Sequence, residues 1–297
     1  ASLYTVNMAY GYFVEARSKR QFTELFGQYV PPELVDEMAR DPEKYNMEPR
    51  AAELTILFSD VRGFTSIPEA LKPEELREYI NEYLTDMSGI IRSRHRGTLD
   101  KYMGDAIMAF WGAPVDDAQH ARNAVLAALD MQKECRALNE RFAARGWPTL
   151  KIGVGVNSGN VRVGDMGSQV RRAYTVMGDP VNVASRLESR TKSYGVGILV
   201  GEATRAQVKD VMFREVDRIK VKGKDEAITI YEPLGLDAEV DRKFQDELKL
   251  WNQALRAYRA QQWDQVEVGL LNLQRINPGC DLYASYADRV AGMRRHP

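Results

Sequence analysis

Cysteine is scarce in this chain: Cys135 and Cys280 are the two among 297 residues, and no Cys-x-x-Cys occurs. A disulfide framework and a thiolate metal site are thereby excluded, and the usage fits a reducing cytosol. Histidine is nearly as rare, with three scattered residues, which argues against a zinc enzyme. Neither sign of charge is in excess: 41 Lys and Arg face 42 Asp and Glu, a net charge of −1. No field therefore draws in nucleic acid or an anionic membrane, and nucleic acid is not an expected partner. No apolar run is long enough to span a bilayer, no signal-peptide layout is present, and no low-complexity tract occurs. What remains is an ordinary globular composition, with length for one large domain plus appendages or two small ones.

The N-terminus opens Leu3-Tyr4-Thr5-Val6-Asn7-Met8-Ala9-Tyr10-Gly11-Tyr12-Phe13, then Arg17-Ser18-Lys19-Arg20. Aromatics ahead of a basic cluster suit the cytoplasmic end of a membrane helix. A buried amphipathic helix suits them equally well. Helical spacing of Phe22, Leu25, Phe26, Tyr29 and Val30 predicts a helix over 14–40, interrupted at Pro31-Pro32. A polar linker (41–52) leads to a strand at 53–59. An amphipathic helix over 73–94 follows, then hairpin strands at 98–102 and 106–111, and a helix over 117–145. Strands are expected at 150–157, 160–165 and 172–177, a helix over 180–194, and a strand at 196–200. A short helix near 201–209 and strands at 213–221 and 226–232 complete the pattern.

The order begins β-α-β-β-α-β. The expected fold class is α+β: a ferredoxin-like βαββαβ core with a mostly antiparallel sheet, flanked by N-terminal and C-terminal helical segments. Residues 1–48 read as an N-terminal helical segment, 49–235 as the main α+β domain and 236–297 as a C-terminal helical hairpin. In that hairpin Trp251, Leu255 and Tyr258 follow the spacing of one tetratricopeptide unit.

Three segments carry chemistry. Asp60, in Phe58-Ser59-Asp60-Val61-Arg62-Gly63-Phe64-Thr65, and Asp105, in Tyr102-Met103-Gly104-Asp105-Ala106, each sit where a strand meets a turn. On neighbouring strands the two carboxylates would converge as hard oxygen ligands for Mg²⁺ or Mn²⁺ carrying phosphates. Either segment alone reads equally as a plain turn. The third, Tyr174 to Arg186, has a strand-to-helix start at Gly178-Asp179-Pro180, with Asp179 expected as N-cap. Asn182 and Arg186 are then i,i+4 on one helix face, able to orient a ribose and neutralise a phosphate oxygen. Taken alone, Arg186 also fits a solvated surface position or a pair with Glu188.

Together these segments resemble class III nucleotidyl cyclases. The matching motifs are FSDVRGFT at 58–65, DKYMGDAIMAFWG at 100–112, YTVMGDPVNVASRLE at 174–188 and VKGK at 221–224, in the family's order. The flanks resemble those of bacterial receptor cyclases with an extracytoplasmic sensor. That implies a cytoplasmic catalytic region of an inner-membrane protein, with a membrane-anchored sensor N-terminal to it.

The resemblance implies an adenylyl cyclase that converts ATP to 3′,5′-cyclic AMP and pyrophosphate. It implies two metal ions per site, Mg²⁺ or Mn²⁺, held by Asp60 and Asp105. One activates the ribose 3′-hydroxyl for attack on the α-phosphate and the other holds the triphosphate. Backbone amides of Gly63, Phe64 and Thr65 would cradle phosphates. Arg186 maps onto the transition-state arginine, Asn182 onto the ribose-orienting asparagine and Lys222 onto a lysine gripping the terminal phosphates. Lys101 and Thr175 map onto the purine-selecting pair. Lysine donates to adenine N1, where guanine carries N1–H, and guanylyl cyclases have glutamate there. The Thr175 hydroxyl can accept from the 6-amino group, and it can also donate. A head-to-tail homodimer with two shared sites is implied. A polymerase or diguanylate cyclase with a similar core would need a Gly-Gly-[Asp/Glu]-Glu-Phe-like hairpin, and Met103-Gly104-Asp105-Ala106 is not one. A degenerate nucleotide sensor on this scaffold would usually lack one of Asp60, Asp105, Asn182 and Arg186.

Overall fold

The apolar run Leu54 to Phe58 lies at the centre of the molecule because both of its faces are covered. In the computed structural model, which describes residues 2–168, 172–221 and 226–295, the elements run as follows. First come α1 (Ser2–Phe26), α2 (Pro32–Arg40), β1 (Arg50–Val61), α3 (Ile67–Ala70), α4 (Pro73–Gly89), β2 (Thr98–Met103) and β3 (Ala106–Trp111). Next are α5 (His120–Ala144), β4 (Ile152–Gly167), β5 (Arg172–Met177), α6 (Asp179–Tyr194), β6 (Ile198–Gly201) and α7 (Glu202–Ala206). Last are β7 (Val211–Lys220), β8 (Ala227–Leu236), α8 (Arg242–Arg259), α9 (Trp263–Ile276) and α10 (Asp281–Arg295).

All the strands join one sheet ordered β2-β3-β1-β4-β6-β8-β7, with β5 paired to β4. The β2-β3-β1-β4 part is the ferredoxin-like order, and its pairings are antiparallel. Only β4 against β6 is parallel. Alternation along β1 sends Leu57 to one face and Leu54 and Ile56 to the other. On the first face Leu57, Ile107, Trp111 and Val154 pack with Tyr79, Tyr83 and Met87 of α4 and Val125, Met131 and Leu138 of α5. On the second, Leu54, Ile56, Met108, Phe110 and Val161 meet Phe22 and Phe26 of α1, Leu34 and Met38 of α2, and Ala184 of α6.

Several local expectations change. Residues 152–167 form one strand rather than two, because Gly159 is a place of close approach and not a turn. A Cβ there would come within 2.6 Å of the Pro180 ring. Helix α6 starts at Asp179 with Gly178 as N-cap, so Asp179 lies in the first turn and not at the cap position. The helix expected to run to residue 94 ends at Gly89 and continues as a wider π turn, Ile90–Arg94.

Helix α1 is one continuous rod. Leu3, Tyr4, Val6, Met8, Tyr10, Tyr12 and Phe13 are exposed, so its first half is not a buried amphipathic helix. No helix among the described residues is long and apolar enough to cross a membrane. Its far end is gripped. The Arg92 guanidinium donates to the Gly27 and Val30 carbonyls (2.8 and 2.6 Å), the Leu99 amide donates to Tyr29 O (2.7 Å), and Phe26 stands edge-on to Tyr174 at 5.2 Å.

Three helices, α8 to α10, occupy the C-terminal region. Trp251, Leu255, Leu273 and Tyr286 share a core with Val216 of β7 and with Val183 and Leu187 of α6. Trp251 Nε1 donates to Glu215 O (2.7 Å) and the Tyr286 hydroxyl to Val216 O (2.6 Å). Buried Arg214 pairs with Glu232 (2.6 Å) and donates to the Tyr283 hydroxyl (3.1 Å), which donates to buried Glu247 (2.6 Å). Each buried charge therefore has a partner, as burial requires.

Candidate active site

Pairing of β1 with β3, in which Ser59 faces Ile107, brings the end of β1 beside the Gly104-Asp105 turn. The Val61 amide donates to both carboxylates, 3.0 Å to Asp60 Oδ1 and 2.9 Å to Asp105 Oδ2. Burial pushes the Asp60 carboxyl up to about 7. A hydrogen bond with Asp105 and the charges of Asp105 and Glu188 push the same way, against the Val61 amide. Two carboxylates forced together at the cost of a retained proton are a donor set that suits a hard divalent cation. Among the described residues no cluster of three or more His, Cys, Asp or Glu side chains forms a fuller cage. Asp60 and Asp105 would hold Mg²⁺ or Mn²⁺, with water and phosphate oxygens completing the shell.

Glu188 and the Val61 amide are contributors that motif reading missed. Glu188 is half-buried and close enough for its charge to act on Asp60, and burial raises its pKa against the opposing pull of Ser189 and Arg62. The only signal for it was its place two residues after Arg186, which turns it to the opposite side of α6.

Gly63 follows in left-handed conformation (φ 66°) and caps a 3₁₀ turn, Phe64–Ser66. Ser66 closes that turn, its amide and hydroxyl both donating to Gly63 O (3.2 and 2.8 Å). Gly63, Phe64 and Thr65 thus begin a helical turn three to five residues after Asp60.

Asn182 and Arg186 lie on α6, and Lys101 and Thr175 on β2 and β5. Asn182 and Arg186 are both exposed on one face of α6. Arg186 lines a cavity of about 250 Å³ with Arg190 and Lys220. Neither Asp60 nor Asp105 lines it. Lys101 on β2 and Thr175 on β5 come together through Asp100. The Thr175 hydroxyl donates to Asp100 Oδ2 (2.5 Å), and Lys101 Nζ lies 3.7 Å from Asp100 Oδ1. Tyr102, Met103 and Met177 are exposed apolar side chains next to this pair in the chain. Lys222 lies outside the described residues.

Residues 47–231 match the family described as the adenylate and guanylate cyclase catalytic domain. Adenylate cyclase 1 of Rhizobium meliloti (strain 1021) is 40% identical over 215 residues, 71% of this chain and 32% of that protein. The adenylate cyclase of Anabaena cylindrica is 40% identical over 215 residues, 70% of this chain and 42% of that protein. The chain therefore spans less than half the length of these relatives. Among solved structures, the adenylyl cyclase CyaB from P. aeruginosa superposes with a TM-score of 0.60 at 36% identity, covering 65% of this chain and 100% of that one. The guanylyl cyclase Cya2 superposes with a TM-score of 0.59 at 34% identity, covering 66% of this chain and 98% of that one. With more than half of its length matched to that family, and both aspartates at the end of β1 and in the turn beside it, the chain belongs to the class III adenylate and guanylate cyclase catalytic domains.

Proposed function

We propose that this chain is an adenylyl cyclase, forming 3′,5′-cyclic AMP and pyrophosphate from ATP at two sites shared across a head-to-tail homodimer. The observation that carries the cyclase reading is the convergence of Asp60 and Asp105 on the Val61 amide. Adenine over guanine is supported by Lys101, a cation where an N1 acceptor must be met, and by the two adenylate cyclase relatives. A guanylyl cyclase is also among the structural relatives, so the pair Lys101 and Thr175, and not the fold, carries the choice.

In the reaction the ribose 3′-oxygen bonds to the α-phosphorus and loses its proton, while the bond from that phosphorus to the bridging oxygen breaks and pyrophosphate leaves. Metal ions at Asp60 and Asp105, two per site as Mg²⁺ or Mn²⁺, would supply Lewis acidity to the hydroxyl and the phosphates. Asn182 would orient the ribose, and Arg186 would meet the charge that develops on the α-phosphate. The amides of Gly63, Phe64 and Thr65, and Lys222, would hold the β- and γ-phosphates.

Sharing is supported by the surroundings of Arg186 and by an exposed apolar surface. Arg186 opens to a basic cavity without the aspartates, and the exposed Tyr102, Met103 and Met177 would be covered by a second copy. A membrane-anchored sensor N-terminal to α1 belongs to the same proposal, supported by the exposed aromatics of α1 ahead of Arg17 and Arg20. The test is product analysis with ATP and with GTP, in Mg²⁺ and in Mn²⁺, over a range of protein concentrations. The expected result is cyclic AMP from ATP, with specific activity rising with concentration. Equal use of GTP would overturn the adenylyl assignment and leave the cyclase one.

A further inference from the structure

A threonine is an ambiguous reader of a purine, because its hydroxyl has one proton to give and two lone pairs to receive. Facing adenine it must accept from the 6-amino group. Facing guanine it must donate to the 6-oxygen. Something must fix the direction of the proton if Thr175 is to discriminate.

The Asp100 side chain is fully buried, at 0% exposure, directly behind Thr175. Its Oδ2 receives the Thr175 proton at 2.5 Å, and its Oδ1 faces Lys101 Nζ at 3.7 Å. A buried carboxylate is a costly group to place, and its opposite charge and donor are the two base-reading side chains themselves. Burial raises the Asp100 carboxyl pKa. The Thr175 hydroxyl, the Lys101 ammonium and the Val176 amide pull it down, as donors to an ionised acceptor do.

We infer that Asp100 sets the base preference as a positioning residue: it takes the one proton of Thr175, so that only lone pairs face the purine, and it steers the Lys101 ammonium beside them. The inference rests on Lys101 and Thr175 being the base-reading pair. It removes the ambiguity of the hydroxyl, since donation to a guanine 6-oxygen would require breaking a charge-assisted bond inside the protein. A purine with a donor at position 6 and an acceptor at position 1 is then the one base that satisfies both side chains.

The test is Asp100→Asn, with kcat/KM measured for ATP, for GTP and for purine riboside triphosphate, which has nothing at position 6. An amide can turn its NH₂ toward Thr175 and free the hydroxyl proton to face the base. The preference for ATP over purine riboside triphosphate should fall about tenfold, the effect of one mis-set hydrogen bond. The preference for ATP over GTP should narrow alongside it. In a Thr175→Val background the same change at Asp100 should leave the ratio of ATP to purine riboside triphosphate unmoved, since both carry the N1 acceptor that Lys101 meets, which a merely structural role would not predict.

If Asp100→Asn does not fold, the polarity is read from Thr175 instead. Thr175→Ser should keep the preference for ATP over purine riboside triphosphate and Thr175→Val should lose it. GTP relative to purine riboside triphosphate should fall in neither. Ratios unchanged in Asp100→Asn, or changed equally in the Thr175→Val background, overturn the inference and leave the adenylyl assignment standing. So does a loss of GTP turnover in Thr175→Val. A wild-type protein that prefers GTP overturns both.

Discussion

Asp60 and Asp105 are bound to one backbone donor: the Val61 amide lies 3.0 Å from Asp60 Oδ1 and 2.9 Å from Asp105 Oδ2. One N–H cannot offset two negative charges, so the pair is poised to exchange a proton for a cation.

Neutralising one member of the pair should separate activity from stability. Asp60→Asn and Asp105→Asn should each lower turnover more than about 10²-fold, through loss of a ligand where cation charge drives the step. Neither should lower the melting temperature of the metal-free protein, because each relieves like-charge repulsion. Turnover and thermal melts on the same preparations check this. A variant with near wild-type turnover would take that aspartate out of the metal site.

The same pair predicts a direction for pH. The Asp60 carboxyl titrates at about 7 in the folded protein against an ordinary 3.8. A raised folded value contributes stability that is full below the unfolded value and is lost as pH rises through the folded one. The metal-free protein should therefore lose melting temperature between about pH 4 and about pH 7, more steeply than Asp60→Asn. Saturating Mn²⁺ should close the gap. Near pH 6, metal uptake should release protons, read by calorimetry in buffers of different ionisation heat. Identical pH profiles for wild type and Asp60→Asn would show that the site carries no such proton.

Helix α6 carries Asn182, Arg186 and Glu188, and it sits directly on β4. A Cβ at Gly155 would lie 2.3 Å from both the Ala184 carbonyl oxygen and the Glu188 amide. Both are backbone atoms, so the helix itself must shift. Gly155→Ala should cost about 1–3 kcal/mol, and should lower kcat for ATP beyond any change in KM. Denaturant melts and steady-state kinetics check this. Unchanged stability would mean that α6 has more freedom than its packing implies.

Much of this was legible from residue order. Strand and helix periodicity located β1, the β2–β3 hairpin and α5 closely, because their buried faces repeat at strand and helix spacing. The fold's order followed from those elements. The break expected within 150–165 failed because Gly159 reads as a turn in sequence, yet it serves the approach of Pro180. The end of α4 and the third C-terminal helix depend on tertiary packing that local propensity does not register. In the site, Asp60 and Asp105 were readable because carboxylates at two strand–turn junctions form a pattern. Asp100 and Glu188 were not, since one matters through its bond to Thr175 and the other through its charge near the carboxylate pair. Neighbours 75 residues apart, such as Asp100 and Thr175, meet only once the sheet is built.

The central claim is that each site takes its aspartates from one subunit and Arg186 from the other, and complementation tests it most directly. Asp60→Ala and Arg186→Ala homodimers should each be nearly inactive with ATP, the second losing about 10²–10³-fold in kcat. In their heterodimer both lesions fall on one site and the other is whole. Equal mixing with full subunit exchange should therefore restore cyclic AMP formation to about a quarter of the wild-type rate, half the dimers being mixed and each having one intact site of two. No recovery, with exchange independently demonstrated, would contradict the shared site.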